Sequence, residues 1–72
     1  MDTKLKTQFY CQDRSVLHFV DGSRMMVREK YEDIELKASV GKQWIRMIDD
    51  ETGQCKLINM NNVIYIVDCN YY

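Results

Sequence analysis

Proline is absent from these 72 residues, glycine occurs only three times, and histidine and tryptophan once each. Without proline, the glycines are the main marks of where the chain turns. A cation excess is missing too: 10 Lys and Arg stand against 11 Asp and Glu, a net charge of −1. That balance argues against a domain that holds nucleic acid by bulk charge, while leaving room for a local basic patch. No apolar run approaches the roughly 18 residues of a membrane helix, so no membrane partner is expected. No apolar stretch follows Met1-Asp2-Thr3-Lys4, and the expectation is a chain without a secretory signal. Cys11, Cys55 and Cys69 form an odd set without close spacing, which is a poor disulfide framework. Together these features point to a cytoplasmic protein with reduced thiols.

What is present is enough apolar material for one core. Hydrophobic residues make up 46% of the chain, too much for disorder. The length suits a single small β domain over residues 1–72, with 1–4 and 69–72 expected as flexible ends. Gly22 and Gly53 sit in related surroundings, each followed four residues later by an apolar pair, Met26-Val27 and Leu57-Ile58. The pattern reads as strand, glycine turn and strand, written twice.

Leu5 to Gln12 alternates in polarity and reads as an extended segment. Ser15 to Val20 reads as a strand, Asp21-Gly22 as a two-residue type I′ hairpin turn, and Arg24 to Arg28 as the returning strand. The next stretch carries two periods. Val27, Tyr31, Ile34 and Ala38 follow a helical spacing, whereas Ile34, Leu36, Ala38 and Val40 alternate strictly with polar residues. The stricter pattern predicts a strand over Ile34 to Val40, preceded by a helical turn near residues 29–33 and followed by a II′ turn at Gly41-Lys42. Gln43 to Asp49 and Gln54 to Asn59 read as strands around a solvated polar turn at Asp49 to Gly53. Met60-Asn61-Asn62 is a tight break. Val63 to Val67 is apolar on both faces, as in a strand buried on both sides or lying in an interface. The expected fold is mainly β, a small antiparallel barrel or sandwich of five to seven short strands.

A turn at Gly41-Lys42 would set Ser39 opposite Trp44 and Lys37 opposite Arg46. Ile34, Leu36, Ala38, Ile45 and Met47 would then face the core, and Lys37, Trp44 and Arg46 would share the other face. A tryptophan in a small β domain is most often a core residue with cations lying over it. It is also the anchor that protein interfaces use, and a platform for stacking a base. Trp44, Arg46, Lys37 and Tyr31 are therefore the candidate binding surface. Val63, Tyr65 and Val67 are the candidate seam of a homo-oligomer.

Chemistry-bearing residues are sparse. His18 lies between Leu17 and Phe19, without the nucleophile and carboxylate context of a catalytic base. Cys11, His18, Cys55 and Cys69 lack the close knuckles of a zinc site and read as small hydrophobic or packed residues. Asp49, Asp50 and Glu51 lack the alternating ligands of a calcium loop. The expectation is no enzyme, no metal and no cofactor. A strand ending in Asp21-Gly22, a bent meander, the Asn59-Met60-Asn61-Asn62 turn and a last apolar strand together resemble Sm-like and SH3-like small barrels in outline. The basic loop that Sm-like RNA binders carry before the last strand is replaced here by the asparagine-rich turn. The resemblance thus implies a barrel and assembly by strand addition, and little about RNA. The functional expectation is a non-catalytic binding module, a small regulator or inhibitor that docks on a larger protein, as phage and mobile-element proteins do when they block host enzymes or defence systems. The alternative is a nucleotide- or nucleic-acid-binding barrel acting as an oligomer.

Overall fold

The computed structural model describes residues 13–69; the extended segment expected over Leu5 to Gln12, and the ends 1–4 and 70–72, lie outside them. Five strands and one helix follow in the order β1 (Ser15–Phe19), β2 (Arg24–Val27), α1 (Tyr31–Ser39), β3 (Trp44–Ile48), β4 (Cys55–Asn59) and β5 (Val63–Asp68), with a 3₁₀ turn at Met60–Asn62 before β5. They form two antiparallel sheets, one in the order β2-β1-β5 and one made of β3 and β4. Five strands agree with the lower end of the expected range. Leu17, Val27, Ile34, Ile45, Met47 and Ile58 form the buried cluster, and Phe19, Met25, Met60, Val63 and Ile66 pack against it. Full burial of one such side chain contributes about 1.5–3 kcal/mol relative to leaving it in water.

The strand expected over Ile34 to Val40 is a helix. Its acidic residues Glu32 and Asp33 occupy the first turn and Lys37 the last, the arrangement that the helix dipole favours. Glu, Leu, Lys and Ala are all good helix formers. The polar alternation was a coincidence of composition, since Ile34 is the one buried residue of α1 while Leu36 and Val40 stay exposed. Gly41 does not begin a hairpin. It ends the helix, with φ +88, in a Schellman cap: Lys42 N–H donates to the Lys37 carbonyl at 3.3 Å and Gly41 N–H to that of Ala38 at 3.0 Å. Glycine is needed there because the left-handed conformation crowds a Cβ.

The first hairpin also differs from its expected form. Gly22 N–H donates to the Phe19 carbonyl at 3.0 Å, and Phe19 N–H to that of Ser23 at 2.8 Å. The loop is therefore three residues, Val20-Asp21-Gly22, with Gly22 alone at positive φ, the turn-plus-bulge hairpin rather than type I′. Asp21 accepts from the Ser23 hydroxyl at 2.6 Å and from its N–H at 2.9 Å. The hydroxyl bond, then the N–H bond, hold its carboxyl below the ordinary carboxylate range.

The two sheets meet where β2 runs into β3. Val27 bridges Asp49, Arg28 N–H donates to the Ile48 carbonyl at 3.0 Å, and Asp50 N–H to that of Met26 at 2.9 Å. The carboxylate of Glu29 accepts the Ile48 N–H, with oxygens at 3.0 and 3.2 Å. Asp50 Oδ1 receives Nε of both Arg14 and Arg28, at 2.9 and 3.1 Å. Asp49, expected in a solvated turn, is 6% exposed and its Oδ2 lies 2.9 Å from Lys56 Nζ. Cys69 is buried, and its N–H donates to the Arg14 carbonyl at 3.0 Å.

Two substitutions separate packing from backbone geometry. Leu17, fully buried, is expected to cost about 2–5 kcal/mol on change to Ala. Gly41→Ala is expected to cost about 1 kcal/mol from its φ alone, because a Cβ there meets nothing within 4 Å. Urea denaturation measures both, and a Gly41→Ala protein as stable as wild type would contradict the cap. A third expectation concerns acid. The Lys56 ammonium, then the Glu51 N–H, hold the Asp49 carboxyl below its ordinary value. A carboxyl lowered in the folded state stabilises fully above its unfolded pKa of about 3.9 and loses that contribution as pH falls through the folded value. The gap in urea midpoint between wild type and Asp49→Asn should therefore be constant above about pH 5 and shrink below about pH 4. A gap that persists to pH 2 would contradict this.

Candidate docking surface

The two-residue period of β3 sends Ile45 and Met47 into the core and leaves Trp44 and Arg46 on the other side. On β4, Ile58 is buried opposite Ile45, while Leu57 lies opposite Arg46 and Asn59 opposite Trp44. Trp44 and Leu57 are diagonal neighbours, close enough for an indole and a leucine to form one apolar surface. Trp44 is 52% exposed and Leu57 62%, so the tryptophan is a surface residue and not part of the core.

The expected partners of Trp44 reach this face by another route. The pairing of Lys37 with Arg46 and of Ser39 with Trp44 does not occur, because residues 31–39 are helical and β3 pairs with β4. The Schellman cap nevertheless turns the chain directly into β3. Lys37 from the last turn of α1 and Lys42 from the cap line one groove with Trp44, Arg46, Leu57 and Glu29, of about 530 Å³. Lys37, Lys42 and Arg46 are exposed and have no carboxylate within ion-pair distance among the described residues, in contrast to Arg14, Arg28 and Lys56. Lys42 and Leu57 escaped the sequence reading. Leu57 had a signal: adjacent apolar residues in a strand must face opposite ways, so one of Leu57 and Ile58 had to lie outside.

Tyr31 does not join this surface. At the start of α1 it lines a second groove, of about 560 Å³, with Ala38, Met60 and Ile64. The three seam residues are divided as well. Phe19 pairs with Val63 and His18 with Tyr65, across a register shift. Neighbours on β1 face opposite sides, so Val63 turns toward the core while Tyr65 and Val67 lie on the other side. The extra residue at Ile64 is a bulge of the kind that twists and blunts a sheet edge. His18 stacks on Tyr65, with ring centroids 4.3 Å apart at 22°.

Among the described residues no three His, Cys, Asp or Glu side chains are grouped to hold a metal, and no helix is long and apolar enough to cross a membrane. Cys55 is an exposed free thiol, and Cys69 is buried. No known protein family, curated protein or solved structure matches the chain.

The geometry sets two checks. Trp44→Ala should change stability by no more than about 0.5 kcal/mol, as for a surface substitution. As the one tryptophan, Trp44 also reports its own surroundings. Iodide should quench its fluorescence more strongly than caesium does, because Lys37, Lys42 and Arg46 raise the local anion concentration. Protection from both ions, or a large loss of stability, would place the indole in the core.

Proposed function

We propose that the protein is a non-catalytic binding module that acts by docking the outer face of β3 and β4 on a larger protein. The observation that carries this reading is the exposure of Trp44 beside Leu57 on a face turned away from the core. A large aromatic with an arginine next to it is the composition of interface hot spots. Arg46 follows Trp44 on the same side of β3, and Lys37 and Lys42 frame it. Two strands that carry their core residues on one side and Trp44 and Leu57 on the other present a rigid plane, suited to steric occlusion of a partner. This is the action of a small regulator or inhibitor, the type that phages and mobile elements direct at host enzymes and defence systems. The architectural part of the proposal is an SH3-like or Sm-like small barrel or sandwich, supported by the Val27–Asp49 bridge between the sheets. A reduced, cytoplasmic setting accords with the exposed thiol of Cys55.

The test is affinity capture from a lysate of the native host with wild type and Trp44→Ala, each with and without nuclease. The expected result is a protein retained by wild type, lost with Trp44→Ala and indifferent to nuclease. Equal retention by the two proteins would remove the Trp44 face from the interaction. Loss on nuclease treatment would favour the alternative, recognition of nucleic acid by the same tryptophan and cations.

A further inference from the structure

We infer that the partner presents to this face a short acidic segment, with carboxylate side chains set around one apolar side chain that lies against Trp44 and Leu57. The inference rests on the Trp44 face being the docking surface and adds the chemistry of what docks there.

The argument is one of charge placement. The chain as a whole is slightly acidic, at −1, yet six of its eight described cations fall into two contrasting sets, Arg24 and Lys30 belonging to neither. Arg14 and Arg28 are paired with Asp50, and Lys56 with Asp49, at the junction of the sheets. Lys37, Lys42 and Arg46 converge instead on the groove beside Trp44. The one carboxylate in that groove, Glu29, has both oxygens turned to the Ile48 N–H. The groove therefore holds three cations against one committed anion, around an exposed apolar centre. The complementary surface is anionic at its rim and apolar in the middle. Arg46 is the strongest recognition element, since a guanidinium can grip a carboxylate with two parallel hydrogen bonds.

A phosphate polymer fits the same face less well. Binding of single strands uses successive aromatic platforms along a basic track, and the described part of this face offers one, Trp44. The patch is also short. Glu32, Asp33 and Glu35 lie exposed on the same helix that supplies Lys37, so a polyanion running past the groove would meet repulsion. Three cations match two or three carboxylates, and the indole and Leu57 match one apolar side chain between them.

The test selects random twelve-residue peptides displayed on phage against the immobilised full chain. A parallel selection uses the variant Lys37→Glu, Lys42→Glu, Arg46→Glu, after circular dichroism has shown it to be folded. Wild type should enrich peptides with Asp or Glu on both sides of a Leu, Phe or Trp, and the variant should lose that enrichment. Synthetic versions of the enriched peptides, with the apolar residue held to Leu or Phe, should shift Trp44 fluorescence. They should weaken about tenfold when their acids become Asn and Gln, as expected for a few exposed ion pairs. A dodecamer of thymidylate is the competing probe. Enrichment of neutral or basic peptides, peptides that leave Trp44 fluorescence unchanged, or tighter binding of thymidylate with a steep salt dependence would each overturn the inference. Its failure is separable from that of the docking surface. If the partner captured by wild type is lost with Trp44→Ala but kept by the charge-reversed variant, the acidic chemistry is wrong and the surface stands.

Discussion

Everything else in this domain depends on the junction at which residues 27–29 meet residues 48–50. The sheet of β3 and β4 is not self-sufficient, since a two-stranded pair is marginal in water. The Val27–Asp49 bridge and its flanking backbone bonds continue one sheet's edge into the other. Glu29 then satisfies the N–H of Ile48, and Asp50 draws Arg14 and Arg28 to a single oxygen. The junction is polar, and its polar groups are mutually paired: the partly exposed Arg14, Arg28 and Asp50 with one another, and the buried Asp49 with Lys56, as buried polar groups require. The apolar cluster of Leu17, Val27, Ile34, Ile45, Met47 and Ile58 closes beneath it.

This junction also decides where the exposed residues go. With Ile48 and Asp49 held to β2, β3 must turn Ile45 and Met47 inward, and Trp44 and Arg46 are left outside. The acids near the junction are spent on Arg14, Arg28 and Lys56. Toward the other end of β3, Arg46 is joined by Lys37 and Lys42 from the end of α1, and these three have no carboxylate within ion-pair distance among the described residues. A surface with an indole at its centre and free cations around it follows from how the fold distributes its carboxylates.

Much of the β architecture was legible from residues. Gly22 and Gly53 do end strands, β1 and β2 fall where the apolar runs place them, and β4, the Met60–Asn62 turn and β5 match their patterns closely. The failure lay at residues 34–40, where alternation of Ile, Leu, Ala and Val imitated a strand. Periodicity reports which residues can share a face, not whether that face is buried, and Leu36 and Val40 remain in water. Better signals were Glu32 and Asp33 at one end, with Lys37 and Gly41 at the other, which together write a helix with its ends marked. The bulge in β5 left no trace in sequence, because an inserted residue in an unbroken run of Val, Ile and Tyr looks like any other.

The candidate surface shows how a right grouping can come from a wrong register. Lys37, Trp44 and Arg46 do line one groove, but through a helix cap rather than a hairpin, and Tyr31 is elsewhere. Local chemistry in the chain determined the mainly β character, the positions of its glycine turns and the side of β3 that Trp44 shares with Arg46, since these follow from turn conformation and a two-residue period acting over a few residues. Only the tertiary structure decided that residues 31–39 coil, that Asp49 is buried with Lys56, and that Lys37 and Lys42 arrive beside an exposed Trp44. Those outcomes depend on which distant groups satisfy one another, and pairing of that kind is a property of the folded chain and not of any segment of it.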